Sequence, residues 1–286
     1  ISSITWGARL IGESGAHPGT AVAKAPAKPP VPTVRPNLDV MLVAHRGVKM
    51  YAPENTLPAI QKAIDLGYKY VELDVHYSKD GIPVVMHDPL MSRTTNRTDF
   101  LSYLPLSEIK KADAGKKFGT QFTGTRVPTL EECLQLMKGK LGLYLDQKTD
   151  PRPELLQVLK KYGFYPENTY FVENTKSVRK TLTVIGEETP VMIGVSKADQ
   201  VGPVIEKYPS TAALNTDCTI ITPEIVDAAH ERGVKVFTNA MPGNNVKQLT
   251  ECMERAINAG VDAIQIDRPD VFFPLIKNMR AERATK

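Results

Sequence analysis

From residue 39 onward, the chain alternates short apolar runs with stretches of helical periodicity. Apolar runs of about four to eight residues are typical of buried strands, and apolar residues spaced three or four apart are typical of amphipathic helices. The runs that predict barrel strands are Val40–Ala44, Tyr70–Val75, Leu141–Asp146, Thr169–Glu173, Pro190–Val195, Thr211–Asn215, Val234–Asn239 and Ala263–Asp267. The stretches that predict helices are Leu57–Leu66, Leu130–Met137, Glu154–Tyr162, Ser177–Ile185, Gln200–Lys207, Pro223–Arg232, Leu249–Ala259 and Val271–Met279. Strands that alternate with helices form parallel sheets, and eight such units in about 250 residues predict an α/β fold, the closed (β/α)8 TIM barrel.

One further apolar run, Ile82–Met86, does not fit this alternation. Only Ser78–Gly81 separate it from the end of the second strand, whereas a parallel crossover needs about a dozen residues. The dipeptide Asp80-Gly81 is a strong hairpin signal. We therefore predict a β-hairpin after the second barrel strand, followed by an insertion over residues 93–127. An open, doubly wound sheet is the alternative, but the glycine-rich phosphate turn expected after its first strand is absent from the sequence.

The N-terminal residues differ from the rest in composition. Residues 16–36 are rich in Pro, Ala and Lys. The prolines break helices and central strands, and Ala and Lys supply no core. We therefore predict an extended arm or linker over residues 1–38 and a single barrel domain over residues 39–286. Because such stalks often follow a cleaved signal peptide, we expect an exported protein, periplasmic or extracellular, with a cytoplasmic location as the alternative.

Composition and charge narrow the class of protein. The chain is 42% hydrophobic and 24% charged, which excludes a disordered chain and a small disulfide scaffold. Its net charge is +4, but residues 1–37 alone carry +3, so the barrel is nearly neutral and we expect no nucleic-acid partner. We also expect no transmembrane segment, because no apolar run approaches the ~20 residues that a membrane helix needs. The cysteines, Cys133, Cys218 and Cys252, lack C-x-x-C spacing. We expect three unpaired thiols, with one disulfide as the alternative.

Acidic side chains gather at the predicted mouth of the barrel, where the active sites of this fold lie. Glu72 and Asp74 are two apart on a strand, so both leave the same face, and two adjacent carboxylates repel unless a cation lies between them. Asp146, at the end of the next strand, can be a third ligand. Carboxylate ligands favour one Ca²⁺ or Mg²⁺ ion. Salt bridges with Arg46 or Lys148 are the alternative explanation.

Two histidines and two cations follow the same strand ends. His45 and His87 can divide general acid and general base work near neutral pH. Arg46 and Lys148 add positive charge beside the predicted metal. Together these groups predict a site for a small anionic substrate that carries a phosphate.

The motifs that carry these residues closely resemble those of the glycerophosphodiester phosphodiesterase family. They are H-R-G at 45–47, P-E-N-T at 53–56, E-L-D-V-H-Y-S-K-D-G-I-P-V-V-M-H-D at 72–88, R-T-T at 93–95, P-T-L-E-E at 128–132, K-V-F-T-N at 235–239 and I-D-R-P-D at 266–270. The resemblance implies a metal-dependent TIM barrel that hydrolyses glycerophosphodiesters to sn-glycerol 3-phosphate and an alcohol. It also implies that the substrate's own glycerol hydroxyl attacks the phosphorus, giving a cyclic phosphate that water opens.

By motif position, the resemblance also assigns residue roles. It implies that Glu72 and Asp74 are metal ligands, that His45 and His87 are the acid/base pair, and that Arg46 and Lys148 bind the phosphate. Glu54 then lies near the metal ligands or the substrate. A lysophospholipase D or a sphingomyelinase D-like phosphodiesterase acting on a lipid is the alternative function, and an inactive barrel that only binds ligands is a third.

The chain departs from the family pattern at two positions. Asp146 stands where the family's E-x-K motif has Glu, so the ion must move or a water must fill the gap. Phe237 stands where the family usually has Trp, which removes an indole N–H. Glu173, Gln265 and His76 are further polar residues near strand ends, and the sequence assigns no role to them.

Overall fold

The computed structural model describes residues 36–285 except Pro242 and Asn244, so nearly all of the predicted arm lies outside the described residues. Eight parallel strands form a closed barrel, and the TIM-barrel prediction is confirmed. The strands are β1 (Met41–His45), β2 (Tyr70–Tyr77), β3 (Pro83–Val85), β4 (Gly142–Gln147), β5 (Thr169–Glu173), β6 (Val191–Gly194), β7 (Thr211–Asp217), β8 (Lys235–Ala240) and β9 (Ala263–Ile266). The helices are α1 (Leu57–Asp65), α2 (Leu106–Ile109), α3 (Leu130–Met137), α4 (Pro153–Tyr162), α5 (Val178–Ile185), α6 (Val201–Lys207), α7 (Pro223–His230), α8 (Val246–Ala259) and α9 (Pro269–Ala284).

Closure of the barrel places the predicted site residues on adjacent strands. β1 pairs with both β2 and β9, which joins the two ends of the sheet. In this register His45 lies opposite Glu72, and Asp74 lies opposite Asp146. The side chains that the sequence placed at three separate strand ends therefore meet at one edge of the barrel.

The predicted hairpin is present and leads into the insertion. β3 pairs antiparallel with the last three residues of β2, of which Val75 still pairs with Gln147 in β4. The following segment contains α2 and two short 3₁₀ turns, Leu101–Tyr103 and Thr120–Phe122. Apolar side chains of this segment and of the hairpin form a core separate from that of the barrel, built from Val84, Met86, Met91, Leu101, Ile109, Ala112, Ala114 and Val127.

The segment returns to the barrel through an N-terminal capping box at α3. The Thr129 hydroxyl accepts a hydrogen bond from the Glu132 backbone N–H at 3.1 Å, and the Glu132 carboxylate accepts one from the Thr129 backbone N–H at 2.8 Å. This reciprocal pair satisfies two of the helix's free N–H groups. It gives the P-T-L-E-E motif a structural role, since the motif fixes where the chain re-enters the barrel.

Aromatic rings fill the barrel interior beneath the mouth. The Phe237 side chain is 1% exposed, and its ring centroid lies 5.0 Å from that of Tyr170, 5.7 Å from that of Tyr70 and 6.3 Å from that of Tyr144. A larger indole at Phe237 would need space that these tyrosines occupy. The Trp-to-Phe departure is therefore matched by the tyrosines around it.

A buried carboxylate connects the N-terminal ends of two strands, at the end of the barrel opposite its mouth. One Asp262 carboxylate oxygen accepts hydrogen bonds from the Val236 backbone N–H at 2.7 Å and from His230 Nε2 at 2.8 Å. Asp262 and His230 are 9% and 5% exposed. We expect Asp262→Ala to lower the free energy of unfolding by about 2–4 kcal/mol, because it leaves two buried donors without an acceptor. Urea unfolding monitored by circular dichroism checks this.

The Asp262 prediction has a clear internal control. Asp262→Asn keeps an oxygen acceptor and is expected to cost less than Asp262→Ala. The metal affinity of both variants is expected to equal that of the wild type, since the substitution is at the end of the barrel remote from its mouth. Equal stability of Asp262→Ala and the wild type would contradict the assignment.

The prediction of three unpaired thiols is wrong for two of them. Cys218, just after β7, forms a disulfide with Cys252 in α8, and only Cys133 is a free thiol, which is buried. The partners are 34 residues apart and meet because α8 packs beside the β7–α7 connection. Sequence spacing carries no signal for a contact of this kind. No helix among the described residues combines the length and apolar character that a membrane span requires.

Candidate active site

Three carboxylates lie together at the mouth of the barrel. Glu72, Asp74 and Asp146 each offer an oxygen within 4.8 Å of the other two. Glu72 and Asp74 are buried, and the Asp146 side chain is 35% exposed. An all-oxygen set of this kind, open on one side, fits a hard divalent cation such as Ca²⁺ or Mg²⁺. We refer to these three residues as the acidic trio.

The H-R-G loop closes over the trio. The Arg46 backbone N–H donates a hydrogen bond to the Glu72 carboxylate at 2.8 Å, which requires Arg46 to adopt the left-handed conformation, with φ 57°. Gly47 has φ 77°, and a Cβ there would lie 2.6 Å from the Ala59 Cβ. Glycine therefore lets the loop pack directly against α1, and this packing aims Arg46 at Glu72.

Asp74 is surrounded by donors. Its carboxylate accepts a hydrogen bond from the Asn55 side-chain amide at 2.7 Å and forms ion pairs with Lys148 at 2.8 Å and with Arg46 at 3.2 Å. The Lys148 ammonium also lies 2.6 Å from the Asp146 carboxylate. The salt bridges offered as the alternative explanation are thus present, and the same three carboxylates lie close enough together that they could hold a metal ion.

The pKa values of Glu72 and Asp74 are shifted in opposite directions. Burial raises the pKa of Glu72 well above its ordinary value, and the nearby carboxylates of Asp74 and Asp146 raise it further. Burial also acts to raise the pKa of Asp74, but the ion pair with Lys148 and the hydrogen bond from Asn55 outweigh it and lower that pKa. A proton on Glu72 therefore relieves the repulsion, and a divalent cation can take the place of that proton.

His45 is held from the opposite side of the mouth. Its Nδ1 lies 2.8 Å from an Asp267 carboxylate oxygen, and the Lys49 ammonium lies 2.9 Å from the other oxygen. The Lys49 ammonium also lies 2.9 Å from Nδ1. In the tautomer whose Nδ1–H donates to Asp267, Nε2 is the acceptor and can take a proton. Burial acts to raise the pKa of Asp267, but His45 and Lys49 outweigh it and keep the pKa low.

His87 has a similar arrangement on the hairpin side. Its Nδ1 lies 2.5 Å from the Asp88 carboxylate, and Arg93 contacts that carboxylate at 2.5 Å. The hydrogen bond from Arg93 is the main cause that lowers the pKa of Asp88, to about 2. Asp88 therefore stays charged at neutral pH and can orient His87.

Glu54 connects Arg46, in the H-R-G loop, with Arg93, at the start of the insertion. Its carboxylate accepts hydrogen bonds from Arg93 at 2.7 Å and 2.9 Å and from Arg46 at 3.1 Å. These guanidinium groups lower the pKa of Glu54 in spite of its burial. Glu54 therefore lies outside the trio and holds Arg46 and Arg93 in place.

A cavity of about 470 Å³ opens beside these groups. Its polar lining includes Glu54, which contacts Arg46, and Arg93, which contacts Asp88. It also includes Asp267, which contacts His45. The full lining is Lys49, Met50, Pro53, Glu54, Arg93, Thr94, Ala114, Lys117, Phe118, Asp267 and Arg268. The volume is within the range of small-molecule sites, about 300–1,000 Å³.

The structure places the three polar residues to which the sequence assigns no role, Glu173, His76 and Gln265. Glu173 accepts hydrogen bonds from Ser177, Thr181 and Gln147, and burial raises its pKa. His76 Nε2 lies 3.0 Å from the His87 carbonyl oxygen and so braces the hairpin. Gln265 is 4% exposed and lies opposite Val43 in β1 and Asn239 in β8.

Sequence reasoning did not identify several functional partners of the site. It gave no role to Asn55 or Lys49, and it did not pair Asp267 with His45 or Arg93 with Glu54. His45 and Asp267 are 222 residues apart, so only closure of the barrel brings them together. A signal was present, since Asn55 lies within P-E-N-T and Asp267 within I-D-R-P-D.

Comparison with known proteins agrees with this geometry. A sequence model of the Glycerophosphoryl diester phosphodiesterase family matches residues 45–185. A glycerophosphodiester phosphodiesterase from Caldanaerobacter subterraneus subsp. tengcongensis is 32% identical over 255 residues, covering 84% of this chain and 99% of that protein. A crystal structure of a glycerophosphodiester phosphodiesterase from Agrobacterium tumefaciens superimposes with a TM-score of 0.71 at 28% identity, covering 82% of this chain and 98% of that one.

A second solved structure contains a product. A phosphodiesterase from Oleispira antarctica, in complex with sn-glycerol-3-phosphate, superimposes with a TM-score of 0.68 at 28% identity and covers 83% of this chain and 96% of that one. Fold and site together define a TIM-barrel phosphodiesterase. The chain belongs to the glycerophosphodiester phosphodiesterase family and is an enzyme of that class.

Proposed function

We propose that the chain hydrolyses glycerophosphodiesters to sn-glycerol 3-phosphate and an alcohol, with one divalent cation on the acidic trio. The observation that carries this proposal is the convergence of three carboxylates and two histidine–carboxylate pairs on one barrel mouth. The product named in the Oleispira antarctica complex supports the choice of substrate. No serine or cysteine nucleophile is needed if the substrate's own glycerol hydroxyl attacks.

In this proposal the chain's own residues bind the diester and move two protons. Arg46 and Lys148 hold the phosphate oxygens, and both are already oriented by Asp74. One histidine takes the proton of the attacking glycerol hydroxyl, and the other gives a proton to the departing alcohol oxygen, which leaves a cyclic phosphate. Water then attacks the phosphorus and opens the ring to glycerol 3-phosphate, with the two histidines in exchanged roles. Asp267 and Asp88 fix the ring tautomers. A bound cation adds charge neutralisation at the phosphate.

Release of glycerol 3-phosphate tests the proposed function. We expect purified protein with Mg²⁺ or Ca²⁺ to release it from glycerophosphocholine or glycerophosphoethanolamine, in a manner that EDTA stops. Lysophosphatidylcholine is the matched lipid substrate, and faster turnover of it would favour the lysophospholipase D alternative. Absence of glycerol 3-phosphate from every diester tried would contradict the proposal.

Asp146 makes the identity of the ion testable. Its carboxylate is one methylene shorter than the glutamate of the family motif, and Ca²⁺, with ligand distances of about 2.3–2.6 Å, tolerates irregular geometry better than Mg²⁺ does at about 2.0–2.1 Å. We therefore propose Ca²⁺ as the preferred ion. We expect Asp146→Glu to shift the ratio of Mg²⁺ to Ca²⁺ affinity toward Mg²⁺ by about tenfold, measured by calorimetry. An unchanged ratio would show that Asp146 does not contact the ion.

We also propose that the protein is exported. Disulfides persist in oxidising compartments such as the periplasm, and the Cys218–Cys252 bond together with the Pro/Ala-rich arm supports this location. We expect protein isolated without reductant and then unfolded to react with iodoacetamide at Cys133 only. Alkylation of all three cysteines would favour a cytoplasmic location.

Loss of the disulfide is expected to destabilise the fold. Because the bond closes a loop with a sequence separation of 34 residues, we expect Cys252→Ser to lower the free energy of unfolding by about 3–4 kcal/mol. Urea unfolding of the oxidised wild type and of the variant measures this difference. Cys133→Ser is the matched control that leaves the bond intact.

A further inference from the structure

The cavity beside the barrel mouth has a charged lining whose role the reaction alone does not explain. Four cations line it, Lys49, Arg93, Lys117 and Arg268, against two carboxylates, Glu54 and Asp267. Most of these cations are already paired. Lys49 contacts Asp267, Arg93 contacts Glu54 and Asp88, and Arg268 contacts Asp270.

Lys117 differs from the other lining cations. Its ammonium donates to the backbone carbonyl of Ser92, and among the described residues no carboxylate pairs with it. It belongs to the insertion, where residues 93–127 carry seven Lys and Arg against three Asp and Glu. Residues 38–286 as a whole carry a net charge of only +1. Positive charge is thus concentrated in the segment that forms one wall of the cavity.

This lining is poorly suited to a quaternary ammonium group. Such groups are bound over the faces of several aromatic rings, and the cavity lining contains one aromatic residue, Phe118. A cationic alcohol such as choline would also face the unpaired charge of Lys117. An alcohol that carries a negative charge would instead form an ion pair with Lys117, which has no carboxylate partner among the described residues.

The position of the cavity matches the alcohol end of the substrate. Attack by the substrate's own hydroxyl folds the glycerol half back onto the phosphorus, and therefore onto the trio. The alcohol half leaves on the side opposite the attacking hydroxyl, next to the histidine that gives it a proton. The cavity adjoins both pairs, through Asp267 on one side and through Arg93, the partner of Asp88, on the other.

We propose, on the basis of the proposed function, that this cavity receives the alcohol half and selects glycerophosphodiesters whose alcohol is anionic, with Lys117 as the selecting residue. Fully deacylated cardiolipin is a suitable probe, because its leaving alcohol bears a second phosphodiester. Glycerophosphoglycerol presents a neutral alcohol of related structure, and glycerophosphocholine presents a cationic one.

The experiment compares kcat/KM for the three diesters in low salt. For the wild type we expect the kcat/KM of deacylated cardiolipin, divided by two for its two equivalent diesters, to exceed that of glycerophosphocholine by about tenfold or more. One unscreened charge contact is sufficient for a difference of this size. Lys117→Ala is expected to reduce this ratio by about tenfold, mainly through the KM of the anionic substrate, and added salt should reduce it as well. Lys116→Ala, next along the chain and outside the cavity lining, should leave the ratio unchanged.

The outcomes separate this inference from the function on which it rests. Hydrolysis of none of the three diesters would overturn the proposed function. If glycerophosphocholine were the best substrate, the proposed function would stand and the inference would be overturned. The same holds if Lys117→Ala lowered kcat/KM equally for all three diesters. Calorimetric titration of the slow His45→Gln variant with deacylated cardiolipin measures the same contact without turnover. We expect the affinity to fall about tenfold when Lys117→Ala is added, and an unchanged affinity would also overturn the inference.

Discussion

Glu72→Gln is expected to remove metal binding and activity while making the metal-free protein more stable. Glu72 is 3% exposed, and its pKa is raised by burial and by the carboxylates of Asp74 and Asp146. The glutamine oxygen can still accept the hydrogen bond from the Arg46 backbone N–H, and its amide can donate to the neighbouring carboxylates. We expect the free energy of unfolding in EDTA to rise, because the neutral amide removes the cost of burying a carboxylate beside two others.

The same substitution is expected to lower metal affinity by more than about a hundredfold, which exceeds the usual effect of residues that only support a ligand. Calorimetric titration with Ca²⁺ or Mg²⁺ measures the affinity, and urea unfolding in EDTA measures the stability. Glu173→Gln is the matched control, since Glu173 is also a buried carboxyl with a raised pKa but lies outside the trio. Wild-type metal affinity in Glu72→Gln would exclude Glu72 as a ligand.

The pH dependence of stability should change in the same variant. A carboxyl whose pKa is higher in the folded than in the unfolded state holds a proton on folding, so its contribution is favourable at low pH and is lost as pH rises through the raised pKa. In EDTA we therefore expect the wild type to lose stability above the ordinary glutamate pKa of about 4.3. Glu173 adds a slope of the same sign, so the difference between Glu72→Gln and the wild type isolates the contribution of Glu72.

The sequence alone predicted the barrel, because the patterns that indicate its strands and its hairpin are formed by residues close together in the chain. Alternating apolar runs predicted every barrel strand, and Asp80-Gly81 predicted the hairpin. Among the predicted helices, α8 starts furthest from its predicted position, at Val246 instead of Leu249. The Asn245 side chain accepts a hydrogen bond from the Gln248 backbone N–H and so caps the helix at this point. That cap lies outside the apolar pattern from which the helix was predicted.

Contacts across the barrel were not predictable in the same way. The trio could be predicted to lie together because its carboxylates are on neighbouring parallel strands, toward the ends that form the mouth of the barrel. The Cys218–Cys252 bond and the pairing of His45 with Asp267 depend on which helices and strands become neighbours on closure. Lys117 gave no signal at all, since the charge of a single lysine in an insertion acquires meaning only beside a cavity.

Replacement of either histidine is expected to reduce kcat strongly without affecting the fold. His45→Gln and His87→Gln should each lower kcat by about 10²–10⁴-fold, the usual contribution of one general acid or base. Metal affinity should be unchanged, since neither histidine belongs to the acidic trio. His76→Gln is the control, because glutamine can still donate to the His87 carbonyl, and we expect it to retain most of the activity.

A substrate with an activated leaving group then assigns the two roles. The p-nitrophenyl ester of glycerol 3-phosphate releases an alcohol that leaves without a proton, so the variant that lacks the general acid should recover most of its kcat on this ester. The variant that lacks the general base should remain slow, because the attacking hydroxyl must still lose its proton. Asp267→Asn and Asp88→Asn should each reproduce the phenotype of the histidine that they orient, at smaller amplitude, because the amide no longer enforces a single ring tautomer. Full activity of both histidine variants on glycerophosphodiesters would exclude these two residues as the acid and base.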